Sequence, residues 1–207
     1  MFHIIEISDN LGGAVMKNEE IKKSVADFYK EVAQNKDRVI EDKESLSKSI
    51  GYSEEDLNAI PEEANLGLGC GSPLTIGEPQ KGEVVVDLGC GKGMDAFIAA
   101  NKVGKNGRII GVDMTMEMLS EARELADKNG YENVEFRLGE IEHLPVGDNT
   151  ADLVISNCVI NLSTDKQQVY NDIYRILKVG GRISISDITL ANPLPAEVLE
   201  NPCMYGT

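Results

Sequence analysis

A chain of 207 residues has room for one domain with a sizeable core plus an appendage. Its 35 acidic and 20 basic side chains give a formal net charge of -15. That argues against nucleic-acid and anionic-membrane partners, because no basic patch exists to neutralise phosphates. No apolar run approaches the ~20 residues needed to span a bilayer. The opening M-F-H-I-I-E-I-S-D lacks the basic flank and long apolar core of a signal peptide. The expectation is a cytoplasmic chain whose cysteines (Cys70, Cys90, Cys158 and Cys203) are thiols rather than structural disulfides.

Residues Met1 to Val15 show little periodicity, and Met16 opens a better helical segment, so the first stretch is expected to be a leader or a misassigned start. From Asn18, a candidate cap, Ile21, Val25, Phe28 and Val32 recur at spacings of three and four, predicting an amphipathic helix packed on the main domain. Ser53 and Asp56 make an S-x-x-D cap for a short helix running to about Ile60 and ended by Pro61. Asn65 to Pro73, N-L-G-L-G-C-G-S-P, is loop by composition.

The βα units then begin. Strands are expected near 83–88, 108–112, 133–138, 152–157 and 181–187, with helices at 94–102, 115–129 and 165–178. In the second helix Thr115 caps, Met118, Leu119, Ala122, Leu125 and Ala126 face inward, and Gly130 closes. Alternation of this kind implies an α/β, Rossmann-like parallel sheet with ligands at the carboxyl ends of its strands. The residues that matter most are then Asp87, Asp113, Gly139 to Ile141, Asn157, Cys158 and Asp187.

The densest signal is E-V-V-V-D-L-G-C-G-K-G, Glu83 to Gly93. A valine strand ends at Asp87, glycines follow at 89, 91 and 93, and a helix opens at once. The dinucleotide spacing G-x-G-x-x-G would need a third glycine where Met94 stands. The pattern D-x-G-x-G-x-G instead resembles motif I of the class I S-adenosylmethionine (SAM) methyltransferases. In that reading Asp87 helps hold a cationic sulfonium with its amino-acid tail. Asp113, ending the second strand, is placed to accept from ribose hydroxyls.

Cys158 follows the fourth strand and Cys70 lies in the glycine-rich loop before the first. Two thiols from separate segments can converge on one soft substrate; a small buried cysteine and a loop thiol are the plainer alternative. Beyond motif I, the stretches N-L-G-L-G-C-G-S-P, G-V-D-M-T-M-E-M-L, F-R-L-G-E-I-E-H-L-P-V and V-I-S-N-C-V-I-N-L-S-T-D-K together resemble the arsenite methyltransferases, over roughly Asn18 to Pro195. The resemblance implies that Cys70 and Cys158 bind trivalent arsenic and that Cys90 has no arsenic role. It places Met114, Glu140, Ile141 and Asn157 in the cofactor pocket with Asp87, Gly89, Gly91, Gly93 and Asp113. It implies methylation of thiol-bound arsenic, with glutathione or thioredoxin as reductant. Thiolates suit a soft ion, and arsenic's lone pair needs no general base, so catalysis would rest on positioning. His143 is then structural or an adenine-side neighbour.

The implied organisation is a leader, helices and lid loop over 1–80, a methyltransferase domain over 81–190 and the start of a C-terminal region over 191–207. The family sheet has seven strands, five are visible here, and a third arsenic cysteine should fall just beyond Thr207, with Cys203 too early. The expectation is a chain truncated after its fifth strand, which becomes an exposed edge, with weak or absent turnover alone. The N-terminal helical region has no cysteine, against the pattern of some members. Two other readings stay open: a SAM methyltransferase for a small organic acceptor such as a quinone precursor, and a non-catalytic arsenic- or SAM-binding fragment.

Overall fold

Three consecutive valines make the central strand. In the computed structural model, which describes residues 18–34 and 42–189, the chain begins with four helices, α1 (Asn18–Gln34), α2 (Lys43–Ser49), α3 (Glu54–Asn58) and α4 (Pro73–Gly77). Strands and helices then alternate as β1 (Val84–Leu88), α5 (Met94–Val103), β2 (Arg108–Asp113), α6 (Met116–Asn129), β3 (Val134–Leu138), β4 (Ala151–Asn157), α7 (Lys166–Ile176) and β5 (Leu177–Ser186). The expected leader, the C-terminal region after residue 190 and Cys203 lie outside the described residues.

The sheet is parallel throughout, in the order β3-β2-β1-β4-β5. This is the anticipated Rossmann-like architecture, and among the described residues β5 pairs with β4 alone. Side chains along β1 alternate between two apolar layers. Val85 joins Phe97, Ile98 and Leu119 of α5 and α6, whereas Val86 and Leu88 join Val169, Ile173 and Ile176 of α7. Both faces of the strand are dry, which is why it reads as an unbroken β-branched run. Helix α1 lays Val32 and Ala33 against Met118 of α6, the packing its apolar stripe requires.

Local chemistry explains the element boundaries. Ser53 accepts from the Asp56 N–H at 3.0 Å and starts α3, as its S-x-x-D pattern predicts. Gly130 closes α6 in the left-handed conformation, φ 72°, and the five residues expected to face inward are buried. Thr115 does not cap α6 with its side chain. Its N–H donates instead to Asp113 Oδ1 at 2.8 Å, so the acid of β2 takes over the turn. Asn18 is the first residue of α1 rather than its cap. Strand β5 follows α7 directly and begins earlier than the expected 181–187, with a register irregularity opposite Ala151 and Leu153. Helix α2 has no counterpart in the sequence expectations; its Asp42 cap accepts from Ser45 N–H at 3.2 Å.

Candidate functional site

The carboxyl ends of β1, β2 and β4 open into one cavity. Asp87, Gly89, Gly91, Asp113, Met114, Glu140, Ile141, Asn157 and Cys158 line it. Helix α1 adds Lys22, Val25 and Tyr29 from above. That helix is held over the opening by Lys22, which pairs with Glu140 at 2.6 Å and Glu142 at 3.4 Å, and by Lys30 with Glu117 at 2.9 Å.

Three carboxylates crowd the floor. Asp87 is 2 % exposed, and burial, then Asp95, then Asp113 push its carboxyl well above the usual range. Its Oδ2 is buried with no hydrogen-bond partner among the described residues. Such an atom costs free energy until a donor reaches it. Asp113 is raised by burial and restrained by backbone N–H groups; it accepts from Gly91 N–H at 2.9 Å as well as from Thr115. The Thr115 side chain and the Met114 N–H also bond to this carboxylate. Gly91 sits at φ +52° with open space where a side chain would begin. An orphaned acid, a second acid at the end of the next strand and an open glycine fit a cofactor with a cationic amino-acid end and a ribose.

Two expected residues lie elsewhere. Gly93 does not line the cavity: a Cβ there would stand 2.8 Å from Phe136 Cζ and 3.0 Å from Phe97 Cε2, so it serves the packing of α5 on the sheet. Asp187 also stays outside the lining and accepts instead from the Asn161 N–H at 3.0 Å. His143 is exposed, with its N–H bonded to Glu140 O at 3.1 Å. Cys90 is buried under the glycine turn, and burial, then Asp113 and Asp87, push its thiol up, so it stays protonated.

Cys70 and Cys158 do converge. Their Cα atoms are 5.8 Å apart across a sequence separation of 88, a spacing at which the two sulfurs can join as a disulfide, and the structure pairs them. The expectation of thiols throughout meets a pair close enough to oxidise, and the cause of the convergence is local. The glycine-rich loop lies flat on the ends of β4 and β5: a Cβ at Gly71 would sit 2.0 Å from Ser186 Oγ and one at Gly69 would sit 3.0 Å from Asn157 Nδ2. Only glycines permit that approach. Asn157 Oδ1 accepts from the Cys70 N–H at 3.0 Å and its Nδ2 donates to Gly71 O at 2.9 Å, so one amide grips the loop on both sides of the thiol. Cys158 meets it from β4 with φ +55°, a left-handed backbone that a non-glycine residue rarely adopts and that marks a constrained site. Cys158 itself lines the cavity, and Cys70 stands beside it just behind the wall.

Two participants escaped the sequence reading. Tyr52 and Asp95 are buried beneath Asn157, with the Tyr52 hydroxyl donating to Asp95 Oδ1 at 2.7 Å. An acid in a helix's first turn reads as an ordinary dipole partner, and nothing in the local pattern marks a tyrosine 43 residues earlier as its partner.

Residues 79–207 match the methyltransferase domain family. The chain is 52 % identical over 158 residues to an arsenite methyltransferase of Halobacterium salinarum, covering 76 % of this chain and 40 % of that protein. It is 34 % identical over 208 residues to the human arsenite methyltransferase, covering 93 % of this chain and 54 % of the relative. Among solved structures, an arsenic (III) S-adenosylmethionine methyltransferase from Chlamydomonas reinhardtii superposes with a TM-score of 0.59 at 38 % identity, over 78 % of this chain and 56 % of that one. The chain thus spans about half the length of the curated relatives it matches.

Proposed function

The chain belongs to the methyltransferase domain family, and from that premise we propose that it takes part in SAM-dependent methyl transfer to trivalent arsenic held by Cys70 and Cys158. The observation that carries this reading is the meeting of those two cysteines, from segments 88 residues apart, at a cavity with an orphaned acid on its floor. When bound, SAM supplies an electrophilic methyl group, which the lone pair of trivalent arsenic accepts. Asp87 offers its unpartnered oxygen to the cationic end of the cofactor, and Asp113, at the end of β2, faces the ribose. Met114 and Ile141 supply apolar walls, and Glu140 keeps α1 over the opening through Lys22.

The cysteines act here as a reduced pair. Two sulfurs this close present a soft, bidentate site. No proton has to leave the arsenic, so the chain needs no general base, and catalysis rests on holding donor and acceptor in line. Glutathione or thioredoxin, the thiols of a cytoplasmic setting, would open the disulfide and return arsenic to its trivalent state. Among the described residues no helix is long and apolar enough to cross a membrane.

The test is alkylation of the reduced protein in the presence of SAM, with and without arsenite, read by mass spectrometry. Joint protection of Cys70 and Cys158 is expected. A folded, SAM-binding sample in which arsenite protects neither thiol would sink the arsenic reading and favour an organic acceptor, for which serine variants at 70 and 158 would keep activity.

A further inference from the structure

The amide that grips Cys70 is itself oriented from below. We propose that Asp95 and Tyr52 are positioning residues that set the spacing of Cys70 and Cys158 by fixing which way the Asn157 amide faces; the inference rests on reading the two cysteines as the substrate-binding pair.

An amide is nearly symmetric in shape, so packing alone does not choose between its two orientations. Hydrogen bonding does. On the buried side Asn157 Nδ2 lies 2.8 Å from Tyr52 Oη and 3.1 Å from Asp95 Oδ2, sharing its two hydrogens among these acceptors and Gly71 O. The Tyr52 proton is already committed to Asp95 Oδ1 at 2.7 Å, which leaves the phenolic oxygen as an acceptor. Everything on that side therefore accepts, and a carbonyl turned towards it would meet only lone pairs. The amide nitrogen must face down, and the amide oxygen must face the Cys70 N–H, 3.0 Å away. Reversed, the amide would present N–H to N–H and release the loop.

The parts come from four places in the chain: the turn before α3, the first turn of α5, the end of β4 and the glycine-rich loop. Tyr52 is 5 % exposed and Asp95 8 %. Burial above all pushes the Asp95 carboxyl up to about 6, opposed by the hydrogen bonds from Tyr52 and Asn157, and at pH 7.5 it is ionised and accepts only. Asp95→Asn keeps the shape but introduces a donor, and so weakens the preference to what the loop's own Gly71 carbonyl and Cys70 N–H supply. Tyr52→Phe keeps the ring and deletes one acceptor.

The full chain is equilibrated at pH 7.5 in mixtures of reduced and oxidised glutathione, and the thiols are counted by differential alkylation and mass spectrometry. Two protein thiols and one oxidised glutathione give the Cys70–Cys158 disulfide and two reduced glutathiones. The equilibrium constant is the effective concentration of one cysteine at the other. Asp95→Asn is expected to lower it about tenfold, since a hydrogen bond to a charged group is at stake, and Tyr52→Phe about threefold. Ile176→Val, which loosens the opposite layer, is the control and should leave it within about twofold while lowering the thermal midpoint. Values for both site variants within about twofold of wild type, or an equal fall in the control, overturn the proposal. If Asp95→Asn does not fold, Tyr52→Phe carries the decision. The readout contains no arsenic: an unmoved equilibrium overturns positioning alone, whereas failure of arsenite to protect the wild-type pair overturns the substrate reading alone.

Discussion

Replacing Gly89 and Gly91 one at a time by alanine separates two roles that their shared motif conceals. Both sit at left-handed φ, +64° and +52°. A side chain there costs about 1–2 kcal/mol in backbone strain alone. At Gly91 nothing lies within 4 Å of the new Cβ, so that strain is the whole stability cost. At Gly89 the Cβ would stand 2.2 Å from Val159 Cγ2 and 3.0 Å from Val159 Cβ, which must shift with the backbone that carries it. Overpacking of this kind adds about 1–3 kcal/mol. Gly89→Ala should therefore lose about 2–5 kcal/mol and Gly91→Ala only about 1–2. At roughly 3 °C per kcal/mol for a domain of this size, the two thermal midpoints should separate by several degrees. Affinity should run the other way round relative to stability. The methyl of Gly91→Ala projects into the cavity where a cofactor would approach the backbone, and at least about a tenfold loss of SAM affinity, or 1.4 kcal/mol, is expected. Thermal unfolding and equilibrium dialysis with labelled SAM measure both quantities. Equal midpoints for the two variants, or wild-type SAM affinity in Gly91→Ala, would refute this account of the turn.

Three further outcomes follow from the buried polar groups. The folded-state pKa of Asp95, about 6, lies above the ordinary value of about 3.9, so the native protein holds that proton more tightly than the unfolded chain does. Its contribution to stability is full below about pH 4 and is lost as pH rises through 6, which amounts to about 3 kcal/mol; urea unfolding should show Asp95→Asn gaining on wild type across that interval, and parallel pH profiles would contradict it. Arg175 bridges Asp172, Asp148 and the carbonyls of Val146 and Leu144 at 2.7–3.0 Å, so Arg175→Lys, which keeps the charge but not the fork, should cost about 1–2 kcal/mol in denaturant titrations. Asn65 is buried, accepts from Gly67 N–H at 2.9 Å and donates to Ser47 Oγ at 3.0 Å; Asn65→Ala should cost about 1–3 kcal/mol and speed amide exchange around Gly67.

The sheet was legible because its signals are short in range. The valine run, the acids that end β1 and β2, and the inward stripe of α6 each declare themselves within a few residues. The part of the cavity lining at the strand ends was legible for the same reason, since ligands in such sheets gather there, whereas Lys22, Val25 and Tyr29 of α1 were not. What the sequence hides is action at a distance. Helix α2 is short and polar, and Ser47 is tied down by Asn65 from 18 residues away. Gly93 belongs to motif I by spacing, yet the space it leaves is filled by Phe136 of β3. The grip of Asn157 on Cys70 spans 87 residues, and its orientation by Tyr52 spans 105. Neither leaves a periodicity to read.

The cysteine pair spans a sequence separation of 88, and the enclosed segment holds β1, β2, β3 and β4 with the helices between them. Until those strands are stacked the two sulfurs wander independently, so the pair exists only as a product of folding. Anything that bridges them, a disulfide or a ligand bound to both, ties off a loop that the denatured chain would otherwise explore, worth about 4–5 kcal/mol on chain-entropy grounds. The substrate of the proposed reaction would thus double as a clasp, lending its tightest-bound moments to the stability of the protein that holds it.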